Sequence, residues 1–162
     1  MSERDRGELQ QFDKLKRLAE ISLRLNTILD LEPLLQAILE IATDLLGCEA
    51  GSILLHDDDK ECLFFAAATG QESNQLEHID VPLRESIAGT IYLSKRHVLV
   101  NDVSRDPRHF RLVGDKMDYR VRSLLGVPMS IRDRTIGVLE AINKEQSGFT
   151  HRDVQLLSIV AS

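Results

Sequence analysis

The sequence has little of what would mark several common protein classes. Only 2 of its 162 residues are cysteine, and the spacing of Cys48 and Cys62 fits neither a metal-binding nor a redox motif. We therefore expect two buried free thiols and a cytoplasmic protein. No run of about 18 apolar residues is present, so we expect no membrane insertion. The N-terminus is charged and lacks the apolar core of a signal peptide.

Signatures of catalysis and of nucleic-acid binding are also missing. The 5 histidines are scattered without ligand spacing, and no serine lies in a Gly-x-Ser-x-Gly context. We therefore expect neither catalytic residues nor a metal site. The net charge of −6, without a basic cluster, argues against nucleic acid as a partner. The acidic run 57–59 is expected to form a solvated turn, since no glutamate closes a calcium-binding loop.

What the sequence does contain is a pair of strands between Ser123 and Lys144. The first strand alternates, with one apolar set: Leu125, Val127, Met129 and Ile131. A polar run at 132–134 predicts a hairpin turn. The second strand is expected to divide into two faces, with Ile136, Val138 and Glu140 on one and Leu139 and Ala141 on the other. Because both faces are apolar, the hairpin should lie inside a sheet, with Pro128 at an edge or a bulge.

Helical periodicity is clearest at the N-terminus, over residues 9–29. The last part of that stretch keeps the spacing of a coiled-coil seam: Leu18, Ile21, Leu25 and Ile28. This helix either packs on its own domain or pairs with a second copy, and both can hold together. A second helix should follow the cap Asp30 and stop at Gly47.

The remaining elements follow from capping residues and short apolar runs. We expect strands at 51–56, 62–69, 78–81 and 98–101. Ser86 should cap a helix that reaches about Lys95, a short helix should span 114–121, and Thr150 should cap a last one.

The second half resembles the GAF domain family. Pro128 and the segment 136–139 are followed by Asn143-Lys144, Phe149 and Asp153, which is similar to the Asn-Lys, Phe, Asp-Glu pattern of members that bind cyclic nucleotides. Val154 stands where that pattern has glutamate. The resemblance covers about residues 30–162 and implies an α+β fold: an antiparallel sheet of about six strands with helices on both faces. Residues 1–29 would be a long helix leading into this domain, which we expect to be cut from a longer protein.

The resemblance also implies site residues. A ligand pocket is expected beside the start of a helix, at Ser86, Ile87, Ala88 and Gly89, where backbone N–H groups favour an anion. Arg122, like Arg120, either meets a phosphate there or is a surface cation. A second set is expected to clasp the last strand to the final helix, with a Lys144–Asp153 salt bridge: Asn143, Lys144, Phe149 and Asp153.

These features predict a non-catalytic sensor module of a signal-transduction protein, such as a two-component system. It would bind a small molecule and relay the change through its terminal helices as a homodimer. The cofactor is left open between a cyclic nucleotide, which Val154 disfavours, and another metabolite. The alternative is a dimerising relay without a small-molecule site. Sulfoxide reduction and bilin attachment, both found in the family, would need cysteines that the second half lacks.

Overall fold

The computed structural model describes residues 2–24, 31–69, 79–107 and 120–162. Its helices are α1 (Glu3–Arg24), α2 (Leu31–Leu46), α3 (Ile87–Ser94) and α4 (His151–Ala161). Its strands are β1 (Cys48–Asp57), β2 (Cys62–Ala68), β3 (Asp80–Pro82), β4 (Val98–Val100), β5 (Leu124–Ile131) and β6 (Arg134–Lys144). Within the described residues the strands form one antiparallel sheet of six, in the order β3-β2-β1-β6-β5-β4. The predicted α+β class and the inner position of the β5–β6 hairpin are confirmed.

The two faces of the sheet carry separate apolar cores. On the face that we call the α4 face, α1, α2 and α4 pack over a cluster that includes Phe12, Leu39, Leu139 and Leu157. On the opposite face, the α3 face, α3 packs over β5 and β6 with Leu54, Ile91 and Val138. Helices therefore lie on both faces, as the sequence predicted.

A bulge in β6 overturns one expectation about the hairpin. Ile136 packs against the cluster of the α4 face and Val138 belongs to the α3 face, although simple alternation placed them together. The pairing steps from Met129–Gly137 to Ser130–Thr135, which leaves Ile136 as an extra residue and reverses the facing of the strand. Pro128 is adjacent to this irregularity and lies beyond the end of β4, which confirms its predicted setting.

Local capping chemistry fixes most of the helix ends. Gly47 follows α2 with φ +65°, and Ser86 and Thr150 cap α3 and α4, all as predicted. Helix α1 begins earlier than the apolar pattern indicated, because Ser2 and Asp5 exchange reciprocal hydrogen bonds before its first turn. The predicted cap Asp30, the seam residues Leu25 and Ile28, and residues 114–119 lie outside the described ranges.

The terminal helices α1 and α4 meet at their first turns. Asp5 near the start of α1 accepts a hydrogen bond from Arg152 near the start of α4, at 3.2 Å. Arg4 meets Asp44 at 3.1 Å, so the end of α2 lies beside the start of α1. None of the helices in the four described ranges is long and apolar enough to cross a bilayer.

Candidate functional site

The beginning of α3 is buried and largely occupied by its own cap. The Ser86 hydroxyl accepts the Gly89 N–H at 2.9 Å and donates to the carbonyl of Pro82. Thr90 Oγ1 donates to the Ser86 carbonyl at 2.9 Å. Among the backbone N–H groups that were expected to favour an anion, the one on Gly89 is therefore already bonded to Ser86.

Two glycines set how closely α3 approaches its surroundings. A methyl group added at Gly89 would lie 2.0 Å from the Leu83 carbonyl oxygen, so this glycine allows backbone to pack on backbone. A methyl group added at Gly126 on β5 would lie 2.3 Å from Ile91 Cδ1. Gly126 therefore leaves the space that the Ile91 side chain of α3 occupies.

Arg122 belongs to a hydrogen-bond network with Glu49 and Asn143. Its guanidinium lies 2.6 Å from Glu49 Oε1 on β1, with about half of the side chain exposed. Asn143, fully buried at φ +58°, accepts the N–H groups of Arg122 and Ser123 and donates to Glu49 and to the Arg120 carbonyl. This network fixes the chain that enters β5.

Lys144 and Asp153 are in contact as the resemblance implied. Lys144 Nζ lies 3.0 Å from Asp153 Oδ1, and their side chains are 19% and 6% exposed. Lys144 Nζ also donates to the Leu46 carbonyl at the end of α2, where a cation is favourable. Asp153 accepts the Thr150 N–H at 2.9 Å and completes a capping box. These bonds connect β6, α2 and α4.

The other two residues of the expected clasp contact different partners. Phe149 is buried on the α4 face, and its N–H donates to Asn101 Oδ1 at 2.8 Å. Asn143 belongs to the Glu49–Arg122 network described above. Val154 is buried in the cluster of the α4 face, so its difference from glutamate concerns the packing of α4 rather than the α3 face.

A buried acidic residue, Glu140, lies on the α3 face without having been singled out in the sequence. It pairs across the sheet with Ser52 on β1 and Gly126 on β5. Ser52 Oγ donates to Glu140 Oε2 at 3.0 Å. Burial raises the pKa of the Glu140 carboxyl to about 7, although the bond from Ser52 opposes the shift. The available signal was an ionisable residue inside the apolar run 136–142.

The acidic turn and the cysteines show no reactive arrangement. Asp57 Oδ1 accepts the N–H groups of Asp59 and Lys60, as in a polar turn. Among the described residues, no group of three histidine, cysteine or acidic side chains is placed to hold a metal ion. Cys48 and Cys62 are free and buried, and burial raises the pKa of Cys48 to about 11.

Comparison with known proteins gives consistent results. A family model described as "GAF domain" matches residues 29–162. The Nif-specific regulatory protein of Azospirillum lipoferum is 28% identical over 154 residues, which is 92% of this chain and 24% of that protein. The chain spans about a tenth to a quarter of the length of the curated relatives it matches, with 20% and 24% for the first two.

Solved structures agree in fold. The GAF domain of an Acinetobacter phosphoenolpyruvate-protein phosphotransferase superposes with a TM-score of 0.72 at 21% identity, covering 97% of this chain and 87% of that one. The free methionine-R-sulfoxide reductase of Neisseria meningitidis, solved with its substrate, gives a TM-score of 0.71 at 20% identity, covering 99% and 87%. At these identities the likeness concerns the fold.

Proposed function

Because this chain belongs to the GAF domain family, we propose that it is a non-catalytic regulatory domain that senses a small molecule. The ligand binds on the α3 face, and the change passes to α1 and α4 on the opposite face. The parent protein is a cytoplasmic signalling protein, of the two-component type or similar. The regulatory relative and the two free thiols support this placement.

The observation that carries the proposal is that β6 serves both faces. Its Val138 and Glu140 lie under α3, while Leu139 and Ala141 lie in the core beneath the other helices. At its end, Lys144 holds α2 and α4. A ligand that shifts α3 against β6 therefore acts on the strand to which α4 is attached, and the response is a change in population between two packings.

The cysteines support a non-catalytic role. Cys48 lies in the cluster of the α4 face, and its raised pKa of about 11 keeps the thiol protonated at neutral pH. A protonated thiol is a poor nucleophile. Chemistry of the kind named for the Neisseria structure is thus not proposed for this chain.

Native mass spectrometry of freshly purified protein tests the ligand, because a tightly held metabolite adds mass that denaturation removes. Calorimetry then adds cyclic AMP and cyclic GMP at high micromolar concentration, where we expect no heat from either. The binding face is located by amide chemical-shift changes, which should centre on α3 and β6. Changes confined to α1, α2 and α4 would overturn the proposed face.

The relay part of the proposal requires the terminal helices to contact a second copy. Leu18 on α1 and Ile159 on α4 are 54% and 56% exposed, and apolar surface of this kind is covered in a two-fold dimer. Sedimentation equilibrium at about 100 μM should show a dimer that Leu18→Asp or Ile159→Asp weakens. Leu93→Asp on α3, equally exposed at 56%, is the matched control. A monomer, or equal weakening by all three changes, would overturn this interface.

The same two exposed residues also favour a second candidate, a dimerising relay without a small-molecule site. In that case dimers form through α1 and α4, and no retained ligand is found. The mass spectra separate the two candidates, since they report bound ligand and oligomeric state together.

A further inference from the structure

Glu140 occupies a position where an apolar residue would be expected. It lies on an inner strand of the sheet, 7% exposed, between Ser52, which is 2% exposed, and Gly126. The side chains around this pair are apolar, with Leu54, Val138 and Ile91 all buried on the same face. A carboxyl group in such surroundings costs several kcal/mol if it is charged and uncompensated.

The hydrogen bonds leave one oxygen of Glu140 available. Ser52 Oγ binds Oε2, and no other donor among the described residues binds the carboxyl group. In the same part of the chain, every fully buried side-chain nitrogen or oxygen has a hydrogen-bond partner. Because Oε1 has none, this oxygen is not completely enclosed by protein. The serine therefore fixes the orientation of the carboxyl group, while Glu140 Oε1 keeps its capacity to accept a further hydrogen bond.

No cation compensates Glu140 within the described residues. Burial raises the pKa of Glu140, and the Ser52 bond opposes this rise. On the neighbouring β1 and α3, the other titratable groups of this face are His56 and Tyr92, whose rings stack on each other at 4.7 Å. His56 Nδ1 contacts Asp58 at 2.7 Å, so its polar bond is made away from Glu140. Lys95 and Arg96 at the end of α3 are exposed.

The geometry points to a ligand that carries a protonated amine or a guanidinium group, which donates hydrogen bonds to Glu140 Oε1 while Ser52 holds Oε2. This inference rests on the proposed function, since it names the chemical class recognised at the α3 face. The incoming cation supplies the compensating charge that Glu140 does not receive from the described residues. In the free protein at neutral pH the carboxyl is part protonated, so binding releases up to one proton to solvent. The ion pair then forms in apolar surroundings, where charge-assisted hydrogen bonds are strong.

A matched set of probes tests the charge preference. The probes n-butylamine, n-butanol and butyrate have similar size and differ in charge, and each is titrated against the uniformly labelled protein by amide chemical shifts. We expect butylamine to shift the amides of Ser52, Gly126 and Ile91 and to bind at least tenfold more tightly than butyrate. From pH 6 to pH 8 its affinity should rise about tenfold, because only the ionised carboxylate is competent.

Variants separate a ligand contact from a structural pair. Glu140→Gln keeps the shape and removes the charge, so it should lose the pH dependence and at least tenfold of butylamine affinity while butanol binding is unchanged. Ser52→Ala should lose less butylamine affinity than Glu140→Gln. If Glu140→Gln does not fold, Ser52→Ala and the wild-type pH series together test the Ser52–Glu140 pair. Equal butylamine affinity in Glu140→Gln overturns the inference.

Two further outcomes also overturn it: stronger binding of butanol or butyrate, or no shift at these amides with any probe. Neither decides the proposed function, which depends on the retained ligand and on the face where that ligand binds.

Discussion

The two faces of the sheet differ in the helices that cover them and in the residues that they bury. The α4 face is covered by three helices, and its cluster is the larger of the two within the described residues. The α3 face is covered there by α3, which is 8 residues long, and it buries a serine and a glutamate on its inner strands. The polar links of the α4 face lie at its rim, where Lys144 joins Leu46 and Asp153.

Under the proposed function, the α4 face provides stability and the α3 face provides recognition. A face that seals apolar groups under long helices gains from every buried methylene. A face that keeps an ionisable group in an apolar layer gives up part of that gain, and such sites are common where ligands bind. We therefore expect substitutions on the α4 face mainly to lower the free energy of unfolding, and substitutions on the α3 face mainly to weaken ligand binding.

The largest loss of stability is expected at two adjacent residues of β6 whose side chains point to opposite faces of the sheet. Leu139→Ala should lower the free energy of unfolding by about 3 kcal/mol, because the surrounding core cannot close on the cavity. Val138→Ala should cost about half as much, since two carbon atoms are lost instead of about three and the layer above Val138 is thinner. Urea denaturation measures both changes. Leu93→Ala, at an exposed site, should stay within about 0.5 kcal/mol. Equal costs at 138 and 139 would break the comparison.

The free energy of unfolding, measured over a range of pH, should reveal the titration of Glu140 on the α3 face. The folded-state pKa of Glu140, about 7, lies above its ordinary value of 4.5. The folded protein therefore binds more protons between these values, and stability falls as pH rises through them. The loss should approach about 3 kcal/mol. Glu140→Gln removes it, so the difference between wild type and variant should change from pH 4.5 to 7.5 and be constant above. A constant difference across the range would show that Glu140 titrates normally.

Two glycines of the α3 face should respond unequally to alanine. Gly89→Ala forces a methyl group against a backbone carbonyl that cannot rotate away, and should cost about 1–3 kcal/mol. In Gly126→Ala the methyl group comes too close to the end of the flexible Ile91 side chain but makes ordinary contacts of 3.6 Å with Glu140 and Leu124, so we expect a loss below about 1 kcal/mol. Adding Ile91→Val removes the contacting methyl group and should restore part of that loss. Thermal denaturation of the three variants gives the order, and a reversed order would contradict the packing of α3 described above.

The smallest effect concerns ion pairs on the α4 side. A double-mutant cycle on Lys144→Met and Asp153→Asn should give a coupling of about 1 kcal/mol, because both side chains are largely buried. The cycle also subtracts the separate role of Asp153 in the cap of α4. The Arg152–Asp5 pair, whose arginine is exposed, should couple by less than about 0.5 kcal/mol. No coupling between Lys144 and Asp153 would mean that they are neighbours without a clasp.

Local chemistry explains which elements the sequence could predict. Gly47, Ser86 and Thr150 act within their own turn, so their roles follow from residue type and position alone. The strand pattern of β5 was equally clear. The predicted facing of Ile136 was wrong because the bulge arises where β6 pairs with Met129 and Ser130 of β5. The periodicity of one strand carries no information about its pairing with another.

The site was less predictable because its bonds are long-range. Asn143 meets Glu49 across 94 residues and Ser52 meets Glu140 across 88, and no spacing rule brings such residues together. Arg122 was interpreted as a phosphate contact or a surface cation, and its pairing with Glu49 follows only from the register of β1 with β6. Ligand contact at Ser86 to Gly89 stays a prediction.

The outermost strands are also the shortest. Both β3 and β4 are 3 residues long, so each covers part of its neighbour, and the uncovered part of β5 includes Pro128, which has no N–H to offer. A free strand edge is a template on which other chains add and form insoluble β-aggregates. The domain therefore offers little of such a template along β5, where further strand addition would need that donor.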